Sequence, residues 1–360
     1  MGPIKVAIAG LGNCASALVQ GVHYYKEITG NEARVTGLMH PSFGGYLPRD
    51  IKFVAAFEVN AGKIGKDISE AIFVHPNCVA KFAETPNLGV EVLPAPIMDG
   101  VAEHMYEAFN VYDSKEAKPV DVAEELRNSK AEILVNFLPV GSAKASRYYA
   151  QAALDAGCGF VNCIPEFIVS DTRWQNKYRK AGLPMAGDDI KSQVGATILH
   201  RVIAQLLSDR GIEIDETYQL NIGGNTDFEN MLAEHRLKSK RISKTEAVTS
   251  ILDYPVPTRI GPSDYVPFLD DTKVCYIHAQ GRKWGGMPIH IALKLTVEDS
   301  PNSAGVVADV IRATKIALDR GTSGPLMSIS SYCFKHPPAQ IEDSVAKLRV
   351  EEYIQGTRER

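Results

Sequence analysis

The first folded stretch, VAIAGLGNCASALVQG, changes period in its middle. Val6 to Ala9 form a short apolar, partly β-branched run, and Ala15, Leu18 and Val19 then recur at helical spacing, so a strand turns into a helix across Gly10 and Gly12. The same alternation continues downstream. AEILVNFLP (131–139) and GFVNCIP (159–165) read as buried strands, while SRYYAQAALDAG (146–157) and DTRWQNKYRKAG (171–182) read as amphipathic helices, the first stopped by Gly157. GLPMAGDDIKSQVGATILHRVIAQLLSDRG adds a short strand, a turn at 187–189 and a helix running to about Asp209. Strands alternating with helices predict a doubly wound parallel sheet, whose ligands gather at the carboxyl ends of strands. Leu138, Pro139, Val140, Asn162 and Pro165 lie at such ends.

After Gly211 the pattern changes. ETYQLNIGGN, AVTSILDYPV, KVCYIHAQGRKW and MPIHIALKLTVED alternate or are β-branched, and turns separate them, which predicts a mainly antiparallel sheet. SPNSAGVVADVIRATKIALDRG (300–321) then reads as a helix, capped by Ser300 or Ser303 and ended by Gly321, that returns to the first unit. The expected fold class is α/β: a Rossmann-type doubly wound domain (1–190 and 298–360) with an inserted α+β domain (191–297). Residues 29–50 form a Gly- and Pro-rich insertion, and 322–360 read as a tail apart from SSYCFKHPP.

Composition narrows the class. A chain of 360 residues is long for one core, which agrees with two domains. With 45% hydrophobic and 23% charged residues it resembles an ordinary soluble protein, and its formal charge of −4 comes with no basic run dense enough to follow a nucleic acid backbone. No apolar stretch approaches the roughly 20 residues of a membrane span, and a strand starting near Ile4 leaves no room for a signal peptide. A cytoplasmic protein with no nucleic acid or membrane partner is expected. Six cysteines without a C-x-x-C pair and nine histidines without an H-E-x-x-H pair give no zinc or dithiol signature.

The corner itself suggests chemistry. Gly10-x-Gly12-x-x-Ala15 is a permitted form of the dinucleotide fingerprint: Gly10 turns the chain, Gly12 admits a phosphate, and Ala15 lets the helix pack closely on the strand. Glu58, at the end of IKFVAAFEV, is the candidate for the adenosine ribose, although it stands 46 positions after Gly12, which requires an insertion between them. Elsewhere each motif has two readings. In GDDIKSQ one of the carboxylates Asp188 and Asp189 is a helix N-cap, or the two acids with Lys191 form a site beside the cofactor. Gly223, Gly224, Asn225 and Asp227 form a turn or a polar pocket. Lys240 and Lys244, four apart, are a solvated helix face or two cations converging on an anion. Lys273 and Lys335 are isolated lysines beside apolar runs, and Asp299 reads by default as a cap.

Taken in order, GLGNCASALVQGV, VNFLPVGS, GDDIKSQVGATILHR, NIGGNTDF, SKRISKTEAV, GPSDYVPFLDD and DSPNSAG span nearly the whole chain. The series resembles the myo-inositol-1-phosphate synthases in their shorter bacterial and archaeal form. That resemblance implies isomerisation of D-glucose 6-phosphate to 1L-myo-inositol 1-phosphate with recycled NAD: oxidation at carbon 5, enolisation, aldol closure onto carbon 1, and reduction. It implies that Lys244 and Lys273 stabilise oxyanions and move protons, that Lys240 and Lys335 hold the substrate and its phosphate, and that Asp189 belongs to the same catalytic group. It also implies that Lys191, Ser192, Asn225 and Asp299 bind substrate. Gly10, Leu11, Gly12, Asn13, Cys14, Ala15, Glu58, Leu138, Pro139, Val140, Asn162, Pro165 and Asp188 would bind the cofactor. Glu58 stands where Asp is commoner in the family, which leaves NAD over NADP open. The resemblance further implies a homotetramer and leaves a divalent or monovalent cation open. The rival readings are an ordinary NAD-dependent dehydrogenase of a small phosphorylated or hydroxylated substrate and a nucleotide-binding protein without catalysis.

Overall fold

The computed structural model describes residues 2–115 and 117–360, with the backbone alone for Pro262 and Ser263. The side chains of those two residues in the GPSDYVPFLDD stretch therefore lie outside the described residues, as do Met1 and Glu116. The chain opens with β1 (Ile4–Ala9), α1 (Asn13–Tyr24), β2 (Ile51–Glu58), a single turn α2 (Ile68–Ala71) and β3 (Val92–Pro94). It continues through α3 (Val122–Asn128), β4 (Ile133–Asn136), α4 (Ala143–Ala156), β5 (Gly159–Asn162), α5 (Thr172–Ala181), β6 (Pro184–Ala186) and α6 (Ala196–Asp209). β4 and β5 are buried along their whole length, as expected of strands covered on both faces. Gly157 and Gly182 end α4 and α5 in the left-handed conformation.

The second sheet is built from the stretch of chain between α6 and the long helix α9. It uses β7 (Glu213–Gly223), α7 (Thr226–Asn230), α8 (Lys238–Thr249), β8 (Thr258–Tyr265), β9 (Thr272–Arg282) and β10 (Pro288–Glu298). The chain then adds α9 (Asp299–Arg320), β11 (Gly324–Pro325), α10 (Met327–Cys333) and α11 (Asp343–Gln355).

The first sheet has the order β11-β6-β5-β4-β1-β2-β3, and every pairing in it is parallel. This is the doubly wound Rossmann order with one extra edge strand, and the order reverses between β1 and β4. One face is covered by α1, α9, α10 and α11, the other by α3, α4 and α5. The second sheet has the order β10-β9-β7-β8 and packs on α6 through Cys275, Ile277 and Ala279 against Ile203, Ala204 and Leu207.

The second sheet is mainly antiparallel, as expected, with one parallel pairing, β8 to β7, after a crossover that contains α7 and α8. Three expectations are corrected here. AVTSILDYPV is not a strand: Ala247, Val248 and Thr249 finish α8, and pairing begins only at Thr258. Residues 322–360 are no tail. β11 pairs with β6, and Ala346, Val350 and Tyr353 of α11 bury one face, with the Tyr353 hydroxyl donating to the Ala313 carbonyl at 2.7 Å. Neither Ser300 nor Ser303 caps α9. The Ser300 hydroxyl donates to Asp271 and the Ser303 hydroxyl to the Ser300 carbonyl, while Gly321 ends the helix as expected.

Candidate active site

A deep cleft opens at the carboxyl edge of the first sheet, where the strand order reverses, and runs from the glycine corner to the end of β7. At the corner Gly10 has φ +85°, and a Cβ there would come within 3.1 Å of the Phe137 carbonyl, so only glycine fits. At Gly12 a Cβ would meet nothing within 4 Å, and no side chain caps α1, which leaves open space and unpaired amides where a pyrophosphate would sit. Ala15 is fully buried, as close packing of α1 requires. Glu58 ends β2 and lines the cleft, each carboxylate oxygen accepting one backbone N–H, from Leu11 and from Val59, at 2.8 Å. Lone pairs remain for ribose hydroxyls, so the residues present fit a dinucleotide. Asn13, Cys14, Leu138, Pro139, Val140 and Pro165 also line the cleft.

At the other end all four candidate lysines face one space. α8 supplies Lys240 and Lys244 from one buried face, β9 supplies Lys273 and the turn after α10 supplies Lys335. Three of them meet carboxylates: Lys240 and Asp227 at 2.5 Å, Lys273 and Asp299 at 3.0 Å, Lys335 and Asp189 at 2.7 Å. Asp189 adopts a left-handed backbone (φ +63°) after β6 and also accepts from the Ser243 hydroxyl at 2.5 Å. Lys244 has no carboxylate partner among the described residues.

The two central lysines titrate in opposite directions. Burial opposes the charge of Lys273, but Asp299 and Asp227 outweigh it and raise the pKa, so Lys273 is a lasting cation. Burial and then the neighbouring Lys240, Lys273 and Lys335 push Lys244 well below the usual lysine value, against a smaller pull from Asp189. Burial also disfavours the Asp227 carboxylate, yet Lys240, Lys244 and Lys273 together hold its pKa low. Beside this cluster lies a small recess lined by Ser192, the first turn of α6 (Gly195 to Ile198), Gln219, Asn221, Lys244, Lys273 and Lys335. α6 carries no side-chain cap and no acidic residue in its first turn, so its free amides add to the cationic character of the recess.

Some sequence candidates lie elsewhere. Asp188 is fully buried outside the cleft lining and accepts five hydrogen bonds, from Asn162, the amides of Ile168, Val169 and Ser170, and the Ser170 hydroxyl. It anchors the loop that carries Pro165, and Asn162 belongs to the same buried network. Lys191 points away from the cleft, donating to the Ser331 carbonyl at 3.1 Å and to Asp343 at 3.0 Å, while Arg201 takes the other Asp343 oxygen at 2.6 Å. Ser192, Asn225 and Asp299 do line the cleft.

Sequence reading missed Asp271, which is buried and receives the Asn225 amide together with the amide and hydroxyl of Ser300. Burial pushes its pKa up to about 6. Its signal was the second Asp of the DDTK stretch. Lys63 and Asn77 were also missed, and the isolated lysine in AGKIG gave little to find. Among the described residues no three His, Cys, Asp or Glu side chains gather to hold a metal ion, and no helix is long and apolar enough to cross a membrane.

Fold and cleft together define a Rossmann-type protein whose nucleotide groove runs into a cationic recess built by a second sheet. A family model described as myo-inositol-1-phosphate synthase matches residues 195–300. The inositol-3-phosphate synthase of Corynebacterium glutamicum is 52% identical over 359 residues, which covers 98% of each chain. The crystal structure of Ari2 superposes with a TM-score of 0.78 at 33% identity, covering 98% of this chain and 99% of that one. The inositol-3-phosphate synthase of Caenorhabditis elegans shares the fold, with a TM-score of 0.77 at 15% identity over 98% of this chain and 86% of its own. The chain belongs to the myo-inositol-1-phosphate synthase family.

Proposed function

We propose that the protein is an inositol-3-phosphate synthase that isomerises D-glucose 6-phosphate to 1L-myo-inositol 1-phosphate. The observation that carries the reading is the convergence of Lys240, Lys244, Lys273 and Lys335 on a single cleft continuous with the glycine corner. NAD bound in this groove would supply reversible hydride transfer at carbon 5 of the open-chain sugar. Gly10 to Ala15 with Glu58 hold its pyrophosphate and ribose; Leu138, Pro139, Val140 and Pro165 line its path, and Asp188 with Asn162 fixes the loop below.

The substrate phosphate sits in the recess at the start of α6, against Ser192, Lys335 and Lys273. Lys240, Lys273 and Lys335 are balanced by Asp227, Asp299 and Asp189, so the attraction for a dianionic phosphate comes from the free amides of α6 and from Lys244 whenever it holds its proton. Lys273 remains an ammonium and stabilises the developing oxyanion, while Lys244, with its lowered pKa, exchanges the proton on carbon 6 or on a substrate oxygen. Lys240, fixed by Asp227, steadies the sugar together with Asn225 and Asp299, and Asp189 orients Lys335. Lys191 acts at a distance, tying the 188–195 segment to α11.

The proposal includes the division into a nucleotide unit (1–190 and 298–360) and a catalytic and assembly unit (191–297), a homotetramer, and a cytoplasmic location. A divalent cation brought with the phosphate is read by titrating a chelator against turnover, and a monovalent one by exchanging the monovalent salt at constant ionic strength. In the deciding experiment the protein is incubated with NAD and glucose 6-phosphate, with parallel readings of inositol phosphate and NADH absorbance. Inositol phosphate without net NADH is expected. NADH rising in step with substrate loss would make the protein a dehydrogenase, and NAD binding without turnover would make it a binding protein.

A further inference from the structure

We propose that Lys63 is a cofactor-positioning residue: together with Asn77 it locks the glycine loop through the Leu11 carbonyl and supplies the counter-charge for Glu58. This rests on the reading that NAD binds at the glycine corner. Leu11 stands between the two glycines, where the backbone would otherwise be loosest. Both of its polar groups are held from outside the loop. Its N–H donates to Glu58 Oε2 at 2.8 Å, and its carbonyl accepts from Lys63 Nζ at 2.9 Å and from Asn77 Nδ2 at 3.0 Å.

The hydrogen-bond directions leave no freedom. Asn77 Oδ1 accepts a second Lys63 proton at 2.9 Å, and Asn77 Nδ2 also reaches the Ile72 carbonyl, so the amide can point only one way. Asn60 starts the turn that aims Lys63 inward, its side chain accepting from the Gly62 amide and its carbonyl from the Lys63 amide. Lys63 is 1% exposed, and its ammonium lies 3.8 Å from Glu58 Oε2. A surface lysine would not pay the desolvation of such a position, and a buried ion holds only when it is paired and hydrogen-bonded. With the loop held at both ends of Leu11, Gly12 and the first amides of α1 are pre-set for the pyrophosphate, and Glu58 is kept at the ribose position.

The test measures dissociation constants for NAD and ADP-ribose by calorimetry, and KM for both NAD and glucose 6-phosphate, in the full-length protein. Lys63→Met is expected to raise both dissociation constants about tenfold or more. The KM for glucose 6-phosphate at saturating NAD should stay within about twofold. Lys63→Arg, which keeps charge and donors, should recover part of the loss, and Asn77→Ala should weaken NAD binding in the same direction by a smaller factor. Wild-type affinity in Lys63→Met, or an equal rise in both KM values, would overturn the proposal, since a merely structural lysine would not single out the cofactor. If Lys63→Met fails to fold, unchanged NAD affinity in Asn77→Ala overturns it instead. A wild-type protein that binds no NAD at all would overturn the functional reading first.

Discussion

Lys244 is the one lysine of the cleft that burial and three neighbouring cations push toward the neutral amine. Lys244→Met should lower kcat by roughly 10²- to 10⁴-fold, the range for loss of an acid–base group, with a smaller change in substrate KM. Lys244→Arg should not rescue it, because a guanidinium stays protonated. The wild-type kcat should fall as pH drops through the depressed pKa, where the base form is lost, and that limb should vanish in the variant. Stability follows the same logic. The unfolded amine holds its proton up to about 10.5, while the folded one releases it earlier, so in that window the unfolded state binds more protons and stability rises with pH. Lys244→Met should therefore raise Tm below the depressed pKa, with the gain disappearing above pH 10.5. Calorimetry across pH checks both limbs; a variant with unchanged or lower Tm at neutral pH would contradict the pressure assigned to this lysine. At this scale much of the cleft was legible only as a series of motifs. Composition alone left SKRISK either a solvated face or two converging cations, and only its order among the other stretches raised Lys240 and Lys244 to site residues. The series also carried Lys191 along with its neighbour. Ser192 faces the cleft and Lys191 the C-terminal helix, a difference set by local backbone direction that a motif does not encode.

Between elements, the contact of α6 with β7 contains a buried histidine. His200 is 1% exposed, with Thr217 Oγ1 at 2.7 Å and Gln219 Oε1 at 3.3 Å, and burial lowers its pKa to about 4, only partly opposed by Gln219. An unfolded histidine binds its proton near 6.5 and the folded one only near 4, so stability is lost as pH falls through that window, by roughly 3 kcal/mol in all. Asp271, pushed up to about 6, runs the other way: the folded state holds its proton longer, so stability is lost as pH rises from 3.8 to 6. The two are separated by comparing variant with wild type. His200→Gln should flatten the acid limb of unfolding free energy against pH between 6.5 and 4 in urea titrations, and a limb of unchanged steepness would assign it to other groups. Long periodic elements such as α4, α5 and α9 were legible because apolar spacing and a terminal glycine agree. α11 was misread although Ala346, Val350 and Tyr353 carry helical spacing, because its exposed face is so charged that the stripe is narrow. β8 was misplaced because the apolar residues at the end of α8 and in the following turn pack under the sheet and mimic a strand.

Across the whole molecule, the lysines of the cleft sit in a chain whose formal charge is −4, so attraction for anions there is local and does not come from the net charge. The second sheet, by contrast, has a face with no cover among the described residues. One side packs on α6, but the other presents Tyr218, Leu220 and Tyr276 at 39%, 40% and 42% exposure. Leu220 pairs with Tyr276, Tyr276 with Lys294, and Tyr218 with His278, whose ring it stacks at 5.0 Å, so the exposed groups form one stripe across three strands. A soluble monomer rarely leaves a sheet face in that state, and a second copy of the same face is the simplest cover. In the proposed homotetramer this surface would join the subunits. Light scattering on a sizing column should give a four-chain mass for the wild type, and the double variant Leu220→Glu, Tyr276→Glu should drop to two chains or one, because like charges would then face each other across a buried interface. The two residues lie on the opposite face of the sheet from α6, so NAD affinity should change by less than about threefold while the mass falls. A wild type that runs as a single chain at micromolar concentration, or a double variant that stays tetrameric, would mean that the stripe is not the contact that joins the subunits.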